Sequence, residues 1–471
     1  MIVKKKGTTV GFLAFSPYVL MMGGQVLFAK YLSVEEVGIF ALINVFIGMI
    51  LAFTNWNGDK YIISNRDIPN NQIDEVFTFE FLYGIIIYLI TIMFLKDYIN
   101  DYLGIENSNT FWIALTFIFC YFALSRPRAV LEKRLSYLEA YTPLFFANLL
   151  AIVIGFLCLY QGFGFWSMVI WKISVHVLDI VILWCIAFYI PKLRLPFSHV
   201  SSLVRYSLPI YSGAAIGFAA NNIDKIVISA LLGVREMGFY WLAFSLSHIP
   251  VISRDLIARL ILPILAMQDS ISSKVKVFDK LNGILQLLSV ISAVFIFYWS
   301  DILIDFVLGE KWSEIAPLLI ILYFAALVKL VGGSCASLLF SGMETRIAFD
   351  ISWMNLVFLS PIMFLAIKFG GLNGAAVAVL IVSFLVNIFC YETAVRKFCN
   401  SGYWYYLGYL TINIASLLLI LFLFEDHLVG VEFKLLGTAL SLGIAFICLP
   451  VNNILKRFFS KQGIVLEINR K

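Results

Sequence analysis

The sequence predicts an all-α polytopic membrane protein: about 14 transmembrane helices, arranged as two parallel six-helix repeats plus two C-terminal helices. Three observations predict this fold: the composition, the spacing of apolar runs and an internal repeat. Of the 471 residues, 61% are hydrophobic and only 13% are charged. Soluble domains are about 45–50% apolar and about 25% charged, so no soluble core could bury this much apolar surface.

Apolar runs of roughly 20 residues recur along the chain, and a run of that length crosses a bilayer as a helix. The predicted spans are 10–29, 39–57, 76–95, 111–127, 143–161, 165–190, 207–232, 237–262, 281–300, 316–341, 347–369, 372–394, 404–424 and 432–451. The first span follows MIVKKKG and is interpreted as an uncleaved helix, because no clear small-x-small cleavage site follows it. The longest polar breaks, 58–75 and 267–280, are too short for a folded domain. Function must therefore reside within the membrane.

The basic residues predict the orientation of these helices. With the N-terminus inside, the inner loops and termini hold roughly four times as many Lys and Arg residues as the outer loops. One missed or extra helix would destroy this bias. The pattern therefore predicts an even number of spans with both termini cytoplasmic.

An internal repeat relates the two halves of the chain. LSVEEVGIFAL (Leu32–Leu42) aligns with LGVREMGFYWL (Leu232–Leu242) at an offset of 200, and YQGFGFWS (Tyr160–Ser167) echoes FGGLNGAA (Phe369–Ala376) at an offset of about 209. Both matches are outer turns between an odd and an even helix, so the repeats run parallel. They predict an N-lobe at 1–200, a C-lobe at 201–398, and helices 13 and 14 with a tail at 399–471. Chance similarity of turn composition is the alternative, because glycine is common at turns.

Several kinds of chemistry are absent from the sequence. There is no GxxxxGK[ST] motif for a built-in ATPase and no clustered His, Cys and carboxylate set for a metal. The seven cysteines are scattered through apolar runs, which argues against disulfides and zinc. We therefore expect no cofactor and no enzymatic activity, with H⁺ or Na⁺ as a candidate coupling ion.

Polar residues inside the predicted spans are the candidates for function. They are Lys172, His176 and Asp179 in helix 6, Asn221, Asn222, Asp224 and Lys225 in helix 7, His248, Asp255 and Arg259 in helix 8, and Lys329 in helix 10. Spacings of three, four and seven put the helix 6 set and the helix 8 set each on one helical face. A charge at the centre of a membrane helix costs roughly 2.5–3.5 kcal/mol, so these groups should face protein or a wet cavity.

Two interpretations of these residues stay open. In the first, a cationic cavity contacts an anionic cargo through one set of residues, and carboxylates carry the coupling ion. The cavity candidates are Lys172, His176, Asn221, Asn222, Lys225, Arg259 and Lys329, and the ion-coupling candidates are Asp179, Asp224 and Asp255. In the second, the same charges pair with one another, which is the usual state of buried charge. Glu80, Asp350 and Glu392 lie near inner helix ends and are interpreted as interfacial.

The order of several stretches resembles the polysaccharide exporter and Wzx-type O-antigen flippase family, within the superfamily that also holds lipid II flippases and multidrug and toxin extrusion proteins. The stretches are RYSLPIYSGAAIGFAANNIDKIVISALLGVREMGFYWLAF (Arg205–Phe244), LFAKYLSVEEVGIFAL (Leu27–Leu42), RPRAVLEKRLSY (Arg126–Tyr137), LGEKWSEIAPLL (Leu308–Leu319) and LLFSGMETRI (Leu338–Ile347). The lipid II flippases place arginines in helices 1 and 2. This chain has Gln25, Asn44 and Asn55 in those helices instead.

The resemblance implies a flippase that moves a lipid-linked oligosaccharide, an isoprenoid pyrophosphate carrying a sugar unit, by alternating access. It implies a bacterial inner membrane, membrane lipids and other polysaccharide assembly proteins as partners, and no nucleic acid. Two alternatives remain: an ion-coupled drug or cation antiporter of the same fold, and a membrane polysaccharide polymerase or acyltransferase. The basic excess disfavours the antiporter, and the lack of a sizeable outer loop disfavours the enzyme.

Overall fold

The structure, a computed structural model, describes residues 2–65, 68–103, 108–134, 136–187, 191–195, 200–251, 270, 291–341 and 346–398. Within these ranges the chain is helical and has no β-strand. The helices up to residue 251 are α1 (Ile2–Tyr31), α2 (Val34–Thr54), α3 (Gly58–Ser64), α4 (Asn70–Leu103), α5 (Ser108–Phe119), α6 (Tyr121–Leu124), α7 (Arg126–Lys133), α8 (Tyr137–Tyr160), α9 (Trp166–Ala187), α10 (Val200–Leu231) and α11 (Val234–Ser247). Further along the chain come helical residues 291–307 (α12), α13 (Ile315–Ser341) and α14 (Arg346–Phe398).

These helices confirm an all-α polytopic membrane protein. Six helices in the described ranges are long and apolar enough to cross a bilayer, or seven if a bent pair forms one span. α14 is one of the six, and it is interrupted at Gly371, whose φ of 54° is not helical. This break falls between two predicted spans, 347–369 and 372–394. The total of 14 stays a prediction, because the two C-terminal spans and part of helices 8 and 9 lie outside the described residues.

The chain divides into two compact units, with the boundary between Leu242 and Ala243. In the first unit, α8 and α9 form a hairpin whose turn uses two glycines with positive φ, Gly162 at 83° and Gly164 at 55°. α1 packs on α8, while α2 packs on α10, α4 and α5. In the second unit, α13 and α14 pack on each other, and a core that includes Tyr298 and Tyr323 joins α12 to α13.

The two sister turns of the sequence repeat meet each other inside the first unit. A Cβ placed on Gly38 would collide with the carbonyl oxygen of Val234, and one on Gly238 would collide with that of Val34. The two contacts are equivalent under the 200-residue offset of the repeat, because Gly38 corresponds to Gly238 and Val34 corresponds to Val234. A reciprocal contact of this kind is what a two-fold axis produces. It supports parallel repeats, and it explains why both turns carry glycine at this position.

The same relation holds for one ion pair. Arg235 Nε lies 3.5 Å from Glu35 Oε1, and these residues occupy equivalent positions of the two turns. Both side chains are 57% exposed, so the pair contributes little stability. The N-terminus of α2 is held separately, by a capping box in which Ser33 and Glu36 each accept a backbone N–H hydrogen bond from the other.

Candidate functional site

A buried carboxylate on α9 organises a cluster of polar side chains in the first unit. Asp179 is fully buried, and its Oδ1 lies 2.6 Å from Arg128 Nη2. Its other oxygen accepts a hydrogen bond from the Tyr121 hydroxyl at 2.9 Å. The arginine also donates from Nε to the carbonyl oxygen of Ala140 at 3.0 Å. Asp179 is therefore engaged in a charge-assisted, hydrogen-bonded pair.

A broken helix positions the partners of Asp179. The segments before and after Cys120 are bent by 55°, and a new helix, α7, begins at Arg126 with proline in its first turn. Trp184 of α9 donates from Nε1 to the carbonyl oxygen of Leu124 at 2.7 Å, which satisfies a backbone group near this break. The break thus turns Tyr121 and Arg128 towards α9.

His176 and Lys172 extend this cluster along the same face of α9. The imidazole of His176 meets the Tyr121 ring edge-on, with centroids 4.6 Å apart. Neither ring nitrogen of His176 has a hydrogen-bond partner among the described residues, although both are buried. The positive charges of Lys172 and Arg128 lie within electrostatic reach of the imidazole.

The charges of this cluster do not balance. Asp179 is matched by Arg128, whereas Lys172, one turn before His176, forms no ion pair or hydrogen bond in the part of the chain that the structure describes. Lys172 therefore has no counter-charge among the described residues, and the neutral imidazole beside it has one N–H that can donate a hydrogen bond to an anion. The structure brings together the three helix 6 residues predicted from sequence, and it adds Arg128 and Tyr121 to them.

The helix 7 candidates are organised differently. Asp224 and Lys225 are both buried, and Lys225 Nζ lies 3.4 Å from Asp224 Oδ1 and 2.8 Å from the carbonyl oxygen of Asn221. Tyr240 of α11 donates to Asp224 Oδ2 at 2.6 Å. Asn221 and Asn222 donate to carbonyl oxygens one turn earlier in their own helix. Within this set, Asn221 is exposed, while the charged pair is enclosed.

The remaining candidates are more dispersed. Asp255 and Arg259 lie outside the described residues. Lys329 lies on α13 in the second unit, half-buried between two buried neighbours, Val328 and Leu330. His248 packs its ring on Phe244 at 4.0 Å, with Nδ1 3.1 Å from the carbonyl oxygen of that residue.

The sequence prediction missed a second charged network, near the N-terminal end of α4. Glu80, which the sequence places near a helix end, is buried within the protein, with 1% exposure. Its Oε1 accepts the Gly58 N–H at 3.2 Å, and its Oε2 lies 2.7 Å from Arg126 Nε. Asp59 of α3 approaches Arg126 Nη1 at 3.6 Å. The contacts with Gly58 of α3 and with Arg126 of α7 enclose this carboxylate within the protein.

Comparison with known proteins defines the family. A family model described as "Polysaccharide biosynthesis protein" matches residues 27–317. The chain is 21% identical over 388 residues to the lipopolysaccharide biosynthesis protein WzxC of Escherichia coli K12, covering 80% of this chain and 78% of that protein. It is 23% identical over 421 residues to the probable low-salt glycan biosynthesis flippase Agl15 of Haloferax volcanii, covering 87% of each.

The fold is also found among solved structures. The lipid II flippase MurJ in an inward closed conformation superposes with a TM-score of 0.70 at 16% identity, covering 95% of this chain and all of that one. This likeness shows the fold, and the family match extends over more than half of the sequence. The chain belongs to the polysaccharide biosynthesis protein family of multi-pass membrane proteins.

Proposed function

We propose that this chain is a flippase that moves a lipid-linked oligosaccharide across the bacterial inner membrane for surface polysaccharide synthesis. The cargo is a sugar unit on an isoprenoid pyrophosphate, and the mechanism is alternating access between an N-lobe (1–200) and a C-lobe (201–398). The relatives WzxC and Agl15 are named for polysaccharide and glycan biosynthesis, the latter as a flippase. The protein acts as a transporter rather than an enzyme, with both termini cytoplasmic.

The observation that carries this proposal is a lysine on α9 that has no counter-charge among the described residues. Lys172 lies within a span of apolar residues, Trp166–Ala187, yet the nearby carboxylate is already paired with Arg128. A cation in such a place is expensive unless an anion comes to it. The pyrophosphate of the cargo, or an acidic sugar, is an anion of this kind.

The energy available from this charge is large enough to matter for transport. Two unit charges 4 Å apart attract by about 4 kcal/mol at an effective dielectric constant of about 20. Losing even a third of that attraction lowers binding by about tenfold. His176 would add a hydrogen bond through one of its ring nitrogens, which the protein itself leaves without a partner in the described residues.

The other predicted residues have supporting roles in this proposal. Asn221, exposed on α10, and its neighbour Asn222 offer amide groups to sugar hydroxyls. Lys329 and Arg259 supply positive charge from the C-lobe. Lys225 contributes through the pair that it makes with Asp224. The carboxylates Asp179, Asp224 and Asp255 remain candidates for coupling to an ion.

The experiment is complementation of cells that lack the chain. Lys172→Ala should lower surface polysaccharide by at least about tenfold, because the anion loses its counter-charge. Lys172→Arg should retain most export, and the double variant Lys172→Ala with Lys329→Ala should abolish it. Lipid-linked intermediates should accumulate in each defective strain.

A matched control separates this effect from damage to the protein. Lys368 is an exposed lysine of α14, so Lys368→Ala should export normally. The amount of folded protein in the membrane is measured for every variant by fluorescence-detected gel filtration. Wild-type export by the double variant would refute the proposed role of these lysines.

A further inference from the structure

The network near the N-terminal end of α4 places two carboxylates around one buried guanidinium. Arg126 is 1% exposed, and its Nε donates to the carbonyl oxygen of Phe122 at 2.8 Å. Glu80 Oε2 lies 2.7 Å from the same nitrogen, but Glu80 receives its only hydrogen bond in the described structure from Gly58. Asp59 is 3.6 Å from Nη1, beyond hydrogen-bonding distance.

This arrangement leaves much of the bonding capacity of a buried ion group unused. Four atoms have no hydrogen-bond partner among the described residues: Arg126 Nη1 and Nη2, Glu80 Oε2 and Asp59 Oδ1. An arginine that only stabilises a fold usually forms a bidentate pair with one carboxylate. Buried unsatisfied polar atoms are rare and require an explanation. A group that changes its protonation state during a cycle is such an explanation.

The charges indicate what the network can bind. Two ionised carboxylates and one guanidinium sum to one negative charge, so a single added proton makes the site neutral. A metal cation would have to lie beside the guanidinium, which repels it. The Asp59 side chain is 45% exposed, so one of the two carboxylates is in contact with water, whereas the Glu80 side chain is enclosed.

We propose that Glu80 is a proton-binding site, at which a proton from the inner solution adds to Oε2 and leaves from it once per transport cycle. The sequence candidates Asp179 and Asp224 are less suited to this role, because each is held by a cation and a tyrosine hydroxyl. The role in transport rests on the proposed function, whereas proton binding does not.

Few other ionisable groups face Glu80. Arg126 on α7 and Asp59 on α3 are the charged groups that act on it within the described residues. On its own helix, Asp74 accepts the backbone N–H of Lys192 at 3.1 Å, and Glu75 lies near the Tyr61 hydroxyl on α3. Neighbouring helices also carry tyrosines, which are Tyr206 and Tyr211 on α10 and Tyr121 on α6. None of the hydrogen bonds formed by these tyrosines involves Glu80.

The effect of protonating Glu80 would reach α10 through the corner between α2 and α3. The corner is tight, since Asn57 has a φ of 54° and Gly58 is held by its N–H bond to Glu80. Trp56, the residue before Asn57, stacks on Tyr211 of α10 with ring centroids 4.7 Å apart. A protonated Glu80 holds the Gly58 N–H and Arg126 less firmly, so the corner and its stack on α10 are loosened.

The experiment is hydrogen exchange of the full-length protein in lipid nanodiscs, followed by mass spectrometry between pH 5 and pH 8. After correction for intrinsic exchange, residues 55–65 of the wild type should exchange at least about threefold faster at low pH, with a sigmoidal midpoint. Asp59→Asn should move that midpoint down by about one pH unit, because the guanidinium of Arg126 then has only the Glu80 carboxylate to stabilise. Glu80→Gln should exchange fast at every pH.

Two controls identify the ion and the residue. Glu139 is an exposed glutamate at the start of α8, and Glu139→Gln should behave as the wild type. Replacing sodium by potassium should leave the midpoint unchanged, and a sodium-dependent midpoint would overturn the assignment to protons. So would a pH-independent wild type, or a midpoint that Asp59→Asn does not move. If Glu80→Gln fails to fold, the half-exposed Asp59 variant still decides the question.

This measurement uses no cargo, so its outcome is separate from that of the flippase assay. A chain that fails to flip a lipid-linked sugar can still show the pH-dependent corner. A chain that flips its cargo but lacks the pH-dependent corner retains the proposed function and loses the proton site.

Discussion

Arg128 and Asp179 should depend strongly on each other in the first unit, and a double-mutant cycle can measure their coupling energy. Asp179 is fully buried, and Arg128 is 17% exposed. Asp179→Leu leaves the guanidinium without its carboxylate, which typically costs 3–5 kcal/mol for a buried pair. The partial exposure of Arg128 allows some solvent screening, so we expect about 3 kcal/mol for this variant.

The double variant should lose much less stability than the sum of the two single effects. Arg128→Met leaves the buried carboxylate of Asp179 without its guanidinium and should lower the free energy of unfolding by about as much, roughly 3 kcal/mol. If the two changes were independent, their effects would sum to about 6 kcal/mol. With both charges replaced by apolar groups of similar volume, no uncompensated ion remains, and we expect a loss of about 2 kcal/mol. Part of that remainder is the Tyr121 hydroxyl, which then lacks its acceptor.

The assay is equilibrium unfolding of the purified protein in mixed micelles, with the free energy of unfolding measured for the wild type and the three variants. A coupling energy of roughly 4 kcal/mol is expected from these figures. Glu139→Gln, an exposed substitution on the same unit, should leave the unfolding free energy within about 0.5 kcal/mol of wild type. Additive single effects would refute the reasoning, because they would mean that the two charges do not stabilise each other.

Two further predictions concern the repeat and the helix 7 pair. Gly38→Ala and Gly238→Ala should each destabilise the protein by about 1–3 kcal/mol, because the new methyl meets backbone of the sister turn. Gly213→Ala, in open space on α10, should stabilise it by up to about 1 kcal/mol, and equal effects at all three would contradict the contact. Tyr240→Phe should cost about 1.5–3 kcal/mol in the same unfolding assay, because it removes a hydrogen bond to ionised Asp224, and an unchanged stability would contradict that bond.

The parts of the fold that depend on composition and local pattern could be predicted from the sequence. Apolar runs long enough for a bilayer predicted helices, and the described spans confirm the fold class. The i, i+4, i+7 spacing placed Lys172, His176 and Asp179 on one face of α9. The structure shows two of them, His176 and Asp179, against the same tyrosine.

The partners of those residues could not be predicted, because they depend on where a helix breaks. RPRAVLEKR is a basic run with a proline, a pattern typical of an inner loop. In the structure it is a short helix, α7, that carries Arg126 towards Glu80 and Arg128 towards Asp179. A sequence signal does exist in hindsight: proline near a helix start, with two arginines spaced by one residue, can present charges in two directions.

The helix 7 set shows a second limit of sequence reasoning. Asn221, Asn222, Asp224 and Lys225 were grouped because they lie within little more than one turn. Tertiary packing separates them: Tyr240 encloses the charged pair, while Asn221 stays exposed. Which side of a short polar segment faces protein depends on neighbours that its own residues do not specify.

The location of lipid-linked sugar units in cells that lack the chain tests the central claim most directly. A membrane-impermeant sugar-modifying reagent is applied to intact cells and to inside-out vesicles, and the labelled fraction is compared with that of complemented cells. The flippase account predicts that the units are labelled only in inside-out vesicles, because they stay on the inner leaflet. Unpolymerised units labelled from outside intact cells would show that flipping proceeds without the chain and would contradict the account.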